Sequence, residues 1–174
     1  MTFSIGFRAP PALELAEQFL MHLQDRLALS GRYRDTDLRH QQHSDEIAAP
    51  MIAQVDRMLA KLRWNRATVR DFLGCSLTEP KAQVVFAAPS RPLARKRFAK
   101  RTAKQGLCLD IKTQLLFAGT HFYINGEPCA VAAADRKAMR QLADQRELEA
   151  GARLSEAALD MLHAWYRDGF LALR

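Results

Sequence analysis

Apolar residues recur along this chain at two different spacings. Near the N-terminus Phe3, Ile5 and Phe7 alternate with Thr2, Ser4, Gly6 and Arg8, the period of a strand over residues 1–9. Pro10-Pro11 ends it. Leu13, Ala16, Leu20, Leu23 and Leu27 then fall three and four apart, one stripe of a helix over 11–29. Gly31 stops that helix, and 30–46 is polar and irregular. Met51, Val55, Met58 and Leu62 predict a second helix over 46–63. Val69, Phe72 and Leu73 predict a third over 66–75, facing inward. A strand at the very start has no nearby strand to satisfy its backbone groups, so either it docks far along the chain or the sheet it belongs to is missing. Narrow stripes joined by a long polar connector enclose little core, and a second copy would cover them. Leu13, Leu20, Leu23, Met51, Val55 and Met58 are therefore the candidate dimerisation residues.

After Thr78-Glu79-Pro80 the pattern changes. Val84-Val85-Phe86 reads as a short strand. A basic helix over 91–104 follows, flanked by Pro89 and Pro92 and ended by Gly106. Short strands are expected at Leu107–Asp110, Gln114–Phe117 and His121–Ile124. Asn125-Gly126 is a type I′ turn signal, with Glu127–Val131 returning. Helices are expected over 134–147 and 155–167, the latter turning Ala158, Met161, Leu162 and Trp165 inward. Gly169 ends it, and Phe170–Leu173 closes the chain as a strand. The fold class is α+β: a helical region over 10–77, then a winged-helix-like domain over 78–174 with a small antiparallel sheet.

Composition changes the picture in one place. The 174 residues carry a net charge of +7, and Arg91–Lys104 holds seven of the 26 basic residues and no acidic one; the other 19 balance the 19 acids. The whole excess sits in one segment. On a helix its charges point in several directions, with Ala94 and Phe98 as an inward ridge. Arg95, Lys96, Arg97, Lys100 and Arg101 are the candidate partner-contact residues, for an anionic partner; solubility, or a match to an acidic face of the same assembly, explains the charge equally well. Nucleic-acid contact belongs to this set of readings; base-specific recognition needs Asn, Gln and Arg at base-contacting spacing.

Little else carries chemistry. His43-Ser44-Asp45 with His121 has the HxD…H order of a two-His, one-carboxylate iron site. His43, however, lies in a polar connector and His121 opens a hairpin, so a solvated loop with a helix cap is the expected reading. His22 and His163 stand alone on helices, at the surface or rim. Cys75, Cys108 and Cys129 lack CxxC spacing and are expected to be reduced and mostly buried. Glu14, Glu17, Asp56, Asp71 and Asp160 lie on helical faces. No signal peptide is visible, and no apolar run approaches the roughly 20 residues of a membrane helix, so a soluble, cytoplasmic protein is expected, with no membrane partner.

Four pieces carry a family resemblance. Ser4-Ile5-Gly6-Phe7-Arg8-Ala9-Pro10 before a Leu-Glu-Leu helix resembles the end of the catalytic domain in JmjC-type cupin ribosomal oxygenases, the ribosomal protein arginine hydroxylase family. Thr78-Glu79-Pro80-Lys81, Tyr123-Ile124-Asn125-Gly126-Glu127 and Trp165-Tyr166-Arg167-Asp168-Gly169-Phe170 resemble its winged-helix-like C-terminal region. The resemblance implies that residues 1–9 are the closing strand of a cupin whose remainder, with its iron ligands, is absent here. It implies helical dimerisation over 10–77, a homodimer, and a ribosomal-protein substrate reached through a parent that uses Fe(II), 2-oxoglutarate and O₂. It assigns no catalytic, metal or cofactor residue to this chain, and gives Ser4 and Arg8 no catalytic role. The expected function is a non-catalytic module for pairing and partner contact. Two rivals remain: a stand-alone winged-helix nucleic-acid binder, and an autonomous enzyme with His43, Asp45 and His121 around iron.

Overall fold

The computed structural model describes residues 10–26, 43 and 45–174. The chain divides into two compact units between Val69 and Arg70. The expected opening strand over 1–9, most of the polar connector and Leu27 lie outside the described residues.

In the first unit, α1 spans Ala12–Arg26. The Pro11 carbonyl accepts the Leu15 N–H at 3.1 Å, so proline stands where a missing N–H costs nothing. α2 spans Ala49–Leu59, shorter than the expected 46–63, with proline in its first turn. It closes with two tight bonds, Lys61 N–H to the Met58 carbonyl at 3.2 Å and Leu62 N–H to the Leu59 carbonyl at 2.9 Å. α3 then runs Arg66–Thr78. Asn65 caps it reciprocally: its Oδ1 accepts the Thr68 N–H at 3.1 Å, and its own N–H donates to the Thr68 hydroxyl at 3.3 Å. Phe19 meets Trp64 edge-on at 6.0 Å.

The second unit takes the C-terminal part of α3 and continues with α4 (Arg95–Gln105), β1 (Leu107–Leu109), β2 (Leu115–Ala118), β3 (His121–Ile124) and β4 (Glu127–Cys129). A 3-10 turn at Ala133–Asp135 leads into α5 (Arg136–Gln145), followed by β5 (Glu147–Leu148), α6 (Glu156–Arg167) and β6 (Leu171–Leu173). The class is α+β. Its strands form two antiparallel three-stranded sheets, ordered β5-β1-β6 and β2-β3-β4. Asn125 and Gly126 join β3 to β4 with φ of 47° and 92°, the positive pair a type I′ turn demands. One core joins the elements: Phe98 of α4, Leu107 and Leu109 of β1, Leu115 of β2, Phe122 and Ile124 of β3, Met139 and Leu142 of α5, Leu148 of β5, Leu162 and Trp165 of α6, and Leu171 of β6.

Three local expectations fail. Val84–Phe86 forms no strand. One side chain and one backbone carbonyl anchor it instead: Phe86 packs on Phe170 at 4.7 Å, and the Val85 carbonyl accepts the Lys112 ammonium. Ala94 is exposed at the N-cap of α4, and the inward ridge is Phe98 with Thr102. Val69 and Leu73 of α3 are exposed, while Phe72, Gly74, Cys75 and Thr78 are buried. The Tyr123 ring lies so close to Gly74 that any side chain there would strike it. A glycine therefore sets which face of α3 goes inside, and a search for apolar stripes passes over glycine.

Candidate partner-contact surfaces

α4 is the most highly charged element. Ala94 starts it in extended geometry, and Gly106, at φ 75°, ends it with its N–H on the Thr102 carbonyl at 2.8 Å. Phe98 and Thr102 turn inward, and Phe98 has no exposed surface. Arg95 is already engaged. Its guanidinium reaches the carboxylates of Glu156 and Asp160 on α6, the latter at 2.6 Å, and donates to the Glu156 carbonyl at 3.0 Å. The hydrogen bond to Asp160, above all, raises the Arg95 pKa further.

Lys96, Arg97, Lys100, Arg101 and Lys104 are exposed. At about 100° per residue these five occupy one arc of about 140°, directly opposite Phe98 and Thr102. Helical spacing alone sets this arc, and Arg95 lies outside it; burial of Phe98 and Thr102 leaves the arc as the side turned to solvent. Lys104, outside the candidate set, completes this face.

The six candidate pairing residues have different environments. Leu13 is 70% exposed, Leu20 60%, Met51 43% and Val55 37%; Met58 is half-buried and Leu23 is buried at 9%. Met21, Ile52, Leu59 and Trp64 are also exposed in the first unit. Their positions off the narrow stripes kept them out of the sequence set.

Thr78, Tyr123, Gly126 and Gly169, described residues among those that carry the family resemblance, are joints of the fold. Thr78 Oγ1 accepts the Gly126 N–H at 2.9 Å and donates back into α3, at 2.8 Å to the Gly74 carbonyl, so the hairpin turn docks on the helix end. The Tyr123 hydroxyl, on an almost wholly buried side chain, donates to Asp71 at 2.6 Å, and Arg70 bonds both. Burial alone would push the Asp71 carboxyl up. The bonds from Tyr123 and Arg70 outweigh it and hold the group below its ordinary range. Burial, and then the bond to Asp71, raise the Tyr123 phenol. Gly169 ends α6 at φ 79°, and a side chain there would come within 2.7 Å of the Ala87 backbone.

Sequence reasoning missed Asp135. Its carboxylate, 2% exposed, accepts the Ser155 N–H at 2.8 Å and the Ser155 hydroxyl at 2.6 Å. Ser155 Oγ in turn caps α6 by accepting the Ala158 N–H at 3.1 Å. The two residues lie 20 positions apart, and no local pattern connects them.

His43 and Asp45 are exposed in the first unit, and His121 is exposed at the start of β3 in the second. Among the described residues no three His, Cys, Asp or Glu side chains could hold a metal ion. The described residues therefore do not fit iron. His22 is half-buried on α1. His163 bonds the Leu93 carbonyl at 2.8 Å and packs between Phe98 and Tyr166, inside the rim of the core. The cysteines form no disulfide: Cys75 is buried, Cys108 and Cys129 are half-buried, and burial pushes the Cys129 thiol up to about 12. No described helix is long and apolar enough to cross a membrane.

Comparison with known proteins adds the relatives. A family model, the ROXA-like winged helix, matches residues 61–172. No curated protein matches the chain. Among solved structures, the X-ray structure of E. coli ycfD superposes with a TM-score of 0.71 at 22% identity, over 98% of this chain and 46% of that one. A structure of E. coli YcfD described as a ribosomal oxygenase gives 0.70 at 21%, over 98% and 48%. A third, the same oxygenase with cobalt and 2-oxoglutarate, gives 0.70 at 22%, over 98% and 48%. The chain spans about half the length of these structures, and at such identity the likeness is one of fold.

Proposed function

The chain belongs to the ROXA-like winged-helix family, and on that premise we propose that it is the non-catalytic C-terminal module of an Fe(II)- and 2-oxoglutarate-dependent ribosomal-protein hydroxylase. Residues 10–77 pair two copies, and residues 78–174 meet the ribosomal-protein substrate or its surroundings. The setting is cytoplasmic. Iron and 2-oxoglutarate belong to the parent's catalytic domain; this chain contributes association surfaces.

The observation that carries the reading is the division of labour along the chain. The family match and the dense core lie together in the C-terminal part. The N-terminal helices leave Leu13, Leu20, Met51 and Val55 exposed. Apolar side chains at this density on short helices mark a surface made to be covered, and a two-fold pair covers both copies with one patch. The fold likeness to half of a ribosomal oxygenase supports the choice of parent.

Size-exclusion chromatography with light scattering tests pairing: a dimer is expected, and a monomer at every concentration overturns the pairing role. Incubation of the purified chain with Fe(II), 2-oxoglutarate and O₂ tests the other half. No succinate is expected; iron-dependent succinate formation overturns the non-catalytic reading.

A further inference from the structure

We infer that the exposed face of α4 docks on the phosphate backbone of double-stranded RNA. The inference rests on the reading above for its ribosomal setting, and on the geometry of α4 for its chemistry. Lys96, Lys100 and Lys104 form one row at four-residue intervals, and Arg97 with Arg101 forms a second beside it. The longer row extends about 12 Å at 1.5 Å per residue. A nucleic-acid duplex carries about one charge per 1.7 Å of its axis, so a face of this length meets several phosphates at once.

The composition of the face selects the partner. It holds five cations, no acid and no large apolar side chain. A protein partner is held by buried aromatic or Arg anchors in desolvated pockets; Arg97 and Arg101 stand here among three lysines, with no aromatic or large apolar side chain beside them to exclude water. A phosphate backbone asks only for positive charge in register. The arc also lacks Asn and Gln, so it offers nothing to adenine edges, and its uniform Lys and Arg set carries no varied pattern for reading a base sequence. The ribosomal setting of the proposed function makes that duplex RNA, which proteins meet mostly through its shape and its 2′-OH and phosphate groups.

The surroundings agree. The nearby acids on α6, Glu156 and Asp160, are engaged by Arg95, at the edge of the inward face and away from the arc. Over the rest of the sequence basic and acidic residues balance. The field of this chain is thus concentrated where the helix points outward.

The test is fluorescence anisotropy of the full chain with a labelled 20-base-pair RNA duplex, the DNA duplex of the same sequence, and poly-glutamate. For RNA, log K should fall linearly with log salt with a slope of about −4, a loss of about two hundredfold between 50 and 200 mM. Poly-glutamate and DNA should bind more weakly. Lys100→Glu with Arg101→Glu should weaken RNA binding by at least about tenfold and reduce the slope by about 2. Arg153→Glu, on an exposed loop, should change neither, and unchanged thermal melting of each variant shows that it folds.

A flat RNA titration, tighter binding of DNA or poly-glutamate, or equal weakening by Arg153→Glu overturns the inference. The two readings fail separately. A dimer that ignores RNA removes the inference alone, whereas a monomer that binds RNA with this slope keeps it and removes pairing.

Discussion

α1 and α6 carry the same kind of apolar stripe and meet opposite fates. On α6, Ala158, Leu162 and Trp165 are all buried. On α1, Leu13 and Leu20 stay exposed and only Leu23 is buried. The difference lies in what surrounds each helix. α6 packs on α4 and β6 inside one core, whereas α1 belongs to a unit in which Leu23 is the one buried residue among those described. Periodicity shows that a helix has an apolar face. It does not show what covers that face, because the cover comes from residues distant in sequence or from another molecule.

The largest test of this contrast is Phe98→Ala. Phe98 touches α6 through Tyr166 and His163, with ring centroids at 5.1 and 5.3 Å. Removing a fully buried phenyl ring costs roughly 3–5 kcal/mol, the lost transfer energy plus the cavity. Urea unfolding should show the second unit melting at much lower denaturant. An unchanged midpoint would mean that the core is not the source of stability in this unit.

Next comes Asp135→Ala. It leaves the half-buried Ser155 N–H and hydroxyl without their acceptor and loosens the cap of α6, at roughly 1–2 kcal/mol. Asp135→Asn separates charge from shape. The amide keeps one acceptor oxygen, so it should recover part of the loss in the same unfolding assay.

These two residues also mark how far the sequence is legible. Phe98 stands out on its own helix. The Asn125-Gly126 turn, the paired strands around it and the stripe of α6 were legible because each is a local pattern with a local cause. Asp135 and Ser155 were not, because their bond closes across 20 residues. Val84–Phe86 misled because three apolar residues look alike whether they pair as a strand or pin a loop to Phe170. The cationic face of α4 was half legible. The charges and their spacing were plain, but that the opposite side of the helix is the covered one required knowing that Thr102 joins Phe98 inside.

A smaller effect comes from Asp71. Its carboxyl is held below 3.8 in the folded chain. A depressed carboxyl contributes stability that is whole above the unfolded value and lost as the pH falls through the folded one. The urea midpoint of the second unit should therefore drop on the acid side of pH 3.8, and Asp71→Asn should flatten that part of the curve. Tyr123 works in the opposite sense: its raised phenol stabilises below pH 10, and that share is lost as the pH rises through the folded value. Both shares are modest, since Asp71 and Arg70 are about a third exposed and water screens them. An acid limb identical in Asp71→Asn and the parent would dismiss the linkage.

The smallest change in folding energy is expected at Leu20, and it addresses the contrast most directly. At 60% exposed, Leu20 touches too little of its own chain to support it, so Leu20→Ser should alter the stability of a single copy by no more than about 0.5 kcal/mol. If a second copy covers this leucine, the same substitution removes an apolar anchor from both halves of a two-fold interface at once, and the dimer should dissociate at concentrations where the parent remains paired. Light scattering reads the second effect and urea unfolding of the second unit reads the first. Loss of pairing with an unmoved midpoint is the expected pattern. A variant that pairs as well as the parent would place the covering surface elsewhere on the first unit. A variant whose second unit melts early would show that α1 is covered from within the chain, and the contrast between α1 and α6 would disappear.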